Sequence, residues 1–442
     1  MKKRIFIFSL IFLLNLVLTF SLKKGNGEKI ARNFVNLLNL GKYKDAEGML
    51  SKMVSLSLGA QGITLKDIWE KLVEMNGEFE GISGVNKNNL GEYIQFDLLT
   101  KFKRGKITLR VVLDRDNKIA GFFLLPKSAF KNYKLPDYVD KNSFKEEDII
   151  IGKKWKLPGK FTFPVNKKRF PVVILIHGSG PLDMDETIGK NKPFKDIAWG
   201  LASRGIGVLR YEKRTKKYPN CVKKGFTIFD ETIEDVLFAI KILKKDKRVS
   251  NIFLLGHSLG ATILPKIVSL TRTKIDGIIL LAPTSHGFYA EIIPDQLERL
   301  AVKNGKIEKK EEKKIEKIRE IISKIKKHKF KMGERVLNVP ISYWYDLLKY
   351  NPILTAAKLN IPILILHGKN DFQISEVDFS NWVKRLKNKK RITIMDFEGL
   401  NHLFMKSNST NYHTKSLNVD VKVINEMVNW IFKITRKTGS KR

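Results

Sequence analysis

The chain has 442 residues and a mass of 50.9 kDa, room for two or three domains. A composition of 43% hydrophobic and 29% charged residues excludes a disordered or low-complexity protein. The single cysteine, Cys221, excludes a disulfide framework or a cysteine-based metal site, and 83 Lys and Arg against 45 Asp and Glu give a formal charge of +38.

Met1–Ser21 reads as a targeting segment. Lys2, Lys3 and Arg4 form a positive start, and Ile5–Phe20 is apolar apart from Ser9, Asn15 and Thr19. Thr19-Phe20-Ser21 offers a small-x-small cleavage site. The apolar stretch falls short of the roughly 20 residues that cross a bilayer. The expectation is a cleaved signal peptide, export to the periplasm or the exterior, and a mature chain from near Leu22. An uncleaved membrane anchor is the alternative. No cysteine follows the apolar stretch, which excludes a lipoprotein.

From about Glu28 to Pro126 the pattern is helical first and extended later. Ala31, Phe34, Val35, Leu37, Leu38 and Ala46 fit a helix, a turn at Gly41 and a second helix. Tyr93–Leu99, Lys106–Leu113 and Ile119–Leu125 alternate as strands, the last two joined by a hairpin turn at Asp116-Asn117. This order predicts a small α+β domain over 22–126. Lys127–Lys145, with Pro136 and several charges, reads as a linker.

From Glu146 to Lys437 strands and helices alternate. Pro171–Ile176, Gly205–Tyr211, Asn251–Leu255, Gly277–Leu281, Ile363–Leu366 and Ile392–Asp396 are short apolar runs suited to buried parallel strands. Helical patterns occupy Pro193–Ser203, Ile233–Lys244, Leu259–Leu270, Glu376–Leu386 and Val419–Ile434. The alternation predicts a mostly parallel, doubly wound α/β sheet. Its rhythm breaks over about Thr284–Asn360, a mostly helical stretch too long for an ordinary connection. A cap inserted at the C-terminal edge of the sheet is expected there.

The charge is spread over 65 lysines and 18 arginines, with no helix-turn-helix, zinc-finger or RNP-like pattern. Its densest run, Lys303–Lys331, holds 13 basic and 5 acidic residues, and isoleucines at 315, 318, 322 and 325 keep a helical spacing. The lysines therefore read as solvated faces, and no specific nucleic-acid partner is expected. A weak contact with anionic polymers or membrane surfaces is the alternative.

Gly256-His257-Ser258-Leu259-Gly260 is a G-x-S-x-G sequence between an apolar strand and a helical run, the context that lifts a nucleophilic serine onto a strained turn. His177-Gly178-Ser179-Gly180 follows an earlier strand. Small residues there can turn a backbone N–H toward the serine, so Ser179, with Gly180 as the alternative, pairs with Leu259 as an oxyanion hole. His177 is expected to order that loop. The remaining partners must follow as acid and then base. Asp371 in His367-Gly368-Lys369-Asn370-Asp371 and His402 in Gly399-Leu400-Asn401-His402 satisfy this order just past strand ends. Asp378 and Asp396 are competing acids. Among the other histidines, His257 and His367 belong to turn motifs, His286 and His328 to the cap, and His413 to a polar loop.

HGSGPLDMDETIGKNKPFKDIAWGLASRGIGVLRYEKRT over His177–Thr215, with LLGHSLGA, LHGKND and GLNH, resembles bacterial carboxylesterases of the EstD type and their dienelactone-hydrolase-like relatives. The preceding α+β domain is similar to one of unknown function in some members, cystatin- or nuclear-transport-factor-like in fold. The resemblance implies an α/β-hydrolase fold, no cofactor, and hydrolysis of small-molecule, short-chain esters by Ser258, Asp371 and His402. Ala261 stands where a third glycine is common, and the lysine-rich cap is less familiar. Asp183, Asp185 and Glu186 read as an ordering loop rather than a metal cluster, with Arg210, Lys213 and Arg214 as ion-pair partners or contacts to a substrate carboxylate. Serine aminopeptidases share the fold, so a peptide bond is the second enzymatic reading. A non-catalytic basic protein that binds polyanions is the third.

Overall fold

The computed structural model describes residues 27–439 except 62–63, 91–92, 126–132, 304, 306, 308, 338 and 409–414. The targeting segment, the start near Leu22 and His413 lie outside the described residues. The described chain falls into two compact units, 27–125 and 133–439.

The first unit begins with helices Gly27–Asn39, Tyr43–Gly48, Lys52–Gln61 and Leu65–Asn76. Thr64 caps the last of these in a reciprocal box with Asp67, satisfying two backbone donors that the first turn leaves free. Four antiparallel strands follow in the order β1 (Phe79–Leu90), β2 (Tyr93–Phe102), β3 (Gly105–Leu113) and β4 (Ile119–Leu125). Phe34, Leu38, Trp69 and Leu72 pack on Phe96, Leu98, Leu109 and Val111 of the sheet. β1 escapes the periodicity reading because FEGISGVNKNNL lacks apolar alternation; its bulges beside Gly81 and Gly84 break the pattern further.

The second unit carries an eight-stranded sheet. Its strands are β5 (Phe144–Ile151), β6 (Leu157–Pro164), β7 (Phe170–Ile176), β8 (Gly207–Tyr211), β9 (Val249–His257), β10 (Gly277–Leu281), β13 (Ile363–Gly368) and β14 (Ile392–Phe397), with β11 (Arg335–Val336) and β12 (Val339–Pro340) forming a separate small ribbon. The order is β14-β13-β10-β9-β7-β8-β6-β5, parallel from β14 to β8 and antiparallel at β6 and β5. Both faces are covered. Val172, Ile174 and Ile176 of β7 join one core with helices Glu234–Lys245 and Leu259–Leu270, while Val173 and Leu175 join the other with helices Pro193–Ala202 and Val421–Gly439. That two-sided burial is why these strands read as unbroken apolar runs rather than alternating ones.

Two expectations need correcting. β5 begins inside the stretch read as a linker, and Tyr133 and Tyr138 of that stretch hydrogen-bond to Asp196 and to the Val419 carbonyl. Residues 133–145 are thus part of the second unit rather than a free connection. The β5–β6 hairpin was not expected, because FKEEDIII carries its charges on an edge strand exposed to water.

Between β10 and β13 the chain forms helices Ile293–Lys303, Lys309–Lys326, Ile341–Leu348 and Pro352–Lys358. In the second of these Ile315, Ile322 and Ile325 are buried while Lys313, Lys314, Lys317, Lys324 and Lys326 face water, the solvated amphipathic face its spacing predicts. The aromatic run Tyr343-Trp344-Tyr345 is committed to the packing of the insertion itself. Tyr343 and Trp344 are buried, and Trp344 and Tyr345 hydrogen-bond to the Val336 and Phe330 carbonyls.

Candidate active site

Ser258 stands between β9 and the helix Leu259–Leu270 with φ +53° and ψ −117°, a region that costs a non-glycine residue on the order of 1–3 kcal/mol. Its surroundings enforce that conformation. The Ser258 N–H is bonded to the Leu281 carbonyl of β10 at 2.9 Å, and its carbonyl accepts from Thr262 one helical turn on. A Cβ on Gly256 would sit 2.4 Å from the Gly260 backbone, and one on Gly260 would sit 2.2 Å from the Ile176 carbonyl. Both glycines are therefore required by close approach, and Ala261 beside them is fully buried in the core.

Asp371 and His402 occupy the turns after β13 and β14. Asp371 Oδ2 lies 2.6 Å from His402 Nδ1, and its Oδ1 accepts from the Gln373 and Ile374 N–H groups at 2.7 and 3.0 Å. Burial alone would raise the Asp371 carboxyl, but the His402 imidazole and the Ile374 N–H outweigh it and hold the group below its ordinary value. Asp371 is thus an anion at neutral pH, and Nδ1 carries the proton that faces it. Neither competing acid reaches His402. Asp378 accepts from the Ser285 N–H at 2.6 Å, and Asp396 lies exposed beside Lys369.

His257 joins the Ser258 turn to His402. Its Nε2 lies 2.9 Å from the His402 carbonyl oxygen, and the two rings pack with centroids 4.7 Å apart. On its other side, Nδ1 lies 3.0 Å from Oε2 of Glu186, which is fully buried. That contact is off the hydrogen-bonding direction, so it acts as a charge pair. Burial opposes the imidazolium, yet the Glu186 carboxylate raises His257 above its ordinary value, and His257 in turn helps hold Glu186 below its own. No hydrogen bond joins Ser258 Oγ to His402 among the described residues; in a resting site this contact is commonly long and closes on substrate.

The loop His177–Gly180 lies against Ser258, since a Cβ on Gly178 would be 3.3 Å from Ser258 Cβ. The Gly178 N–H donates to Glu186 Oε1 at 2.7 Å, and the Gly178 carbonyl accepts from Lys213 Nζ at 2.7 Å. Ser179 and Gly180 are exposed, Gly180 with φ +90°. Leu259 opens the helix, where its N–H has no partner within the helix itself. His177 orders the loop as expected: its Nε2 bonds to the Asp183 carbonyl at 3.0 Å, and burial lowers its pKa to about 4, so it is neutral.

Of the expected ion pairs, only Arg210 with Asp185 forms as grouped, at 3.0 Å. Lys213 instead meets Glu231 at 2.8 Å, and Arg214 meets Asp235 and Glu234. Glu186 pairs with His257 rather than with these buried cations. The roles of Glu186, Lys213 and Glu231 in the site went unread, because residues 8 to 53 positions apart carry no spacing signal; only the density of charge after the HGSG loop pointed to them. His367 holds the Asp371 turn through the Ile374 carbonyl at 3.1 Å, and His286 pairs with Glu291 at 2.7 Å.

Comparison with known proteins gives two family matches and several relatives. Residues 168–408 match the family described as serine aminopeptidase, S33, and residues 31–122 match a family of unknown function, DUF3887. Esterase EstD of Thermotoga maritima is 41% identical over 408 residues, covering 90% of this chain and 94% of its own. A monoglyceride lipase homolog of Monkeypox virus is 25% identical over 65% of this chain and 95% of its own. The solved structure of Est1E from Butyrivibrio proteoclasticus is 16% identical with a TM-score of 0.43, covering 65% of this chain and 99% of its own. With its G-x-S-x-G turn on an α/β sheet and its likeness to EstD over 90% of its length, the chain belongs to the serine aminopeptidase S33 family of α/β-hydrolases and, within it, to the carboxylesterases of the EstD type.

Proposed function

We propose that the protein hydrolyses short-chain carboxylic esters through an acyl-enzyme on Ser258, with His402 as base and Asp371 as its orienting acid. The observation that carries this reading is the 2.6 Å Asp371–His402 contact, held through His257 against the strained Ser258 turn. Ser258 Oγ attacks the ester carbonyl carbon while His402 Nε2 takes its proton, and Asp371 stabilises the resulting imidazolium. Negative charge gathers on the former carbonyl oxygen, where the Ser179 and Leu259 N–H groups receive it. The intermediate collapses as the imidazolium passes its proton to the leaving alcohol. Water then attacks the acyl-enzyme by the same route, releasing the acid and restoring Ser258.

A peptide substrate is the second reading, favoured by the family's description as a serine aminopeptidase. Acyl-chain p-nitrophenyl esters assayed beside aminoacyl anilides separate the two, and fluorophosphonate labelling of Ser258 tests the nucleophile for both. Absence of labelling and of turnover on both panels rejects the serine-hydrolase reading. We also propose export with removal of Met1–Ser21; the N-terminal residue of the native protein, read by mass spectrometry, checks it.

A further inference from the structure

We propose that Lys213 aims the oxyanion donor Ser179 N–H, and that Glu231 and Tyr343 tie this aim to the helical insertion. The proposal rests on the serine-hydrolase reading above. Gly178 touches the nucleophile, yet both of its backbone groups are already engaged: its N–H by Glu186 and its carbonyl by Lys213. The peptide bond that follows is trans and planar, so the Ser179 N–H points opposite to the Gly178 carbonyl. The Lys213 ammonium, drawing that carbonyl to itself at 2.7 Å, therefore turns the N–H away from itself. A flipped peptide would leave the ammonium without its acceptor and present a carbonyl oxygen where negative charge must gather.

The ammonium is only 2% exposed, and a methionine would fill the same channel without the desolvation that a buried charge entails. What a methionine lacks is a directed donor. Lys213 Nζ also lies 2.8 Å from Glu231 Oε1, which neutralises it, and Glu231 Oε2 accepts from Tyr343 Oη at 2.7 Å. Glu231 sits in the π-helical turn Phe229–Ile233, a local distortion often found at functional sites. Tyr343 belongs to the insertion helix Ile341–Leu348 and is itself buried. A continuous buried path thus runs from Tyr343 through Glu231 and Lys213 to the Gly178–Ser179 peptide. These three are positioning residues, since each acts on the oxyanion through another group.

The test compares wild type, Lys213→Met, Lys213→Met with Glu231→Gln, and Tyr343→Phe, using p-nitrophenyl acetate turnover and inhibition by a trifluoromethyl ketone. The ketone's adduct carries an oxyanion, whereas ground-state ester binding does not. The double variant removes both charges together, so no unpaired carboxylate is left to unfold the chain. The expected result is a kcat loss on the order of 10²-fold in both Lys213 variants, with KM nearly unchanged and the inhibitor weakened by the same factor. Tyr343→Phe is expected to lose a few-fold in kcat alone. A folded double variant with wild-type kcat and inhibitor affinity overturns the role of Lys213. Wild-type kcat in Tyr343→Phe overturns the link to the insertion, and that variant decides the proposal should neither Lys213 variant fold. Failure of the wild type itself to turn over ester or bind the ketone rejects the underlying hydrolase reading instead.

Discussion

Asp371 and the residue beside His402 accept backbone N–H groups from within a few positions of themselves, whereas the Gly178 carbonyl in the loop His177–Gly180 is held by a side chain from a distant segment. Asp371 accepts from residues two and three positions on, and the neighbouring Asn401 braces the His402 turn by accepting from Leu403 and Met405. Gly178, by contrast, relies on Glu186 and on Lys213, which is 35 positions away, and the path continues to Tyr343, 112 positions beyond Glu231. The proposed acid–base side is thus shaped by local turns, which the Asn370 N–H on the Leu400 carbonyl and His257 on the His402 carbonyl tie together. The proposed oxyanion side depends on the packed interior, and on buried charges that are stable only as a set.

The largest way to break this contrast lies on the acid–base side. Ser258→Ala is expected to abolish ester turnover and fluorophosphonate labelling while leaving the fold intact, and His402→Ala to fall almost as far. Asp371→Asn is expected to cost on the order of 10⁴-fold in kcat by analogy with serine proteases, and adding it to Ser258→Ala should cost little more. Near-full activity in Asp371→Asn with loss in Asp396→Asn would move the acid to Asp396. On the oxyanion side, Glu186→Ala leaves the Gly178 N–H and His257 without their buried partner. A stability loss of about 3–5 kcal/mol is expected from denaturant midpoints, with Glu186→Gln recovering the part due to Gly178.

The same pair has a pH signature. The Glu186 contribution is complete above about pH 4.5, its unfolded value, and is lost as pH falls through its lowered folded value. The His257 contribution is complete below about pH 6.5 and is lost as pH rises through its raised folded value. The difference between wild-type and His257→Gln melting curves is therefore expected to be greatest between these two pH values and to shrink on either side. A difference that grows steadily with pH would contradict the charged pair. The smallest effect is expected from exchanging the insertion, about 284–360, for that of a relative. Acyl-chain preference should shift by about tenfold while Ser258 labelling persists, and an unchanged ester profile would remove the insertion from substrate choice.

The central strands were legible because burial on both faces demands continuous apolar runs, and helices Leu259–Leu270 and Glu376–Leu386 appear with the boundaries their periodicity predicts. β1 and β5 were not legible, since glycine, asparagine and exposed charge leave no apolar signature on strands open to water, and β6 was not because Pro158, Gly159 and Pro164 interrupt its apolar residues. Candidate residues divide in the same way. Ser258, Asp371 and His402 lie in short motifs after strand ends, where chain direction and turn chemistry alone bring them to one edge of the sheet. Which acid meets the histidine was settled only by the folded chain: Asp371 turns inward, Asp378 bonds the Ser285 backbone and Asp396 faces water. The pairing of Glu186 with His257 and of Lys213 with Glu231 likewise belongs to the tertiary structure. A charged side chain in a sequence gives no sign of its partner, because the partner is chosen by which groups lose their water together on folding.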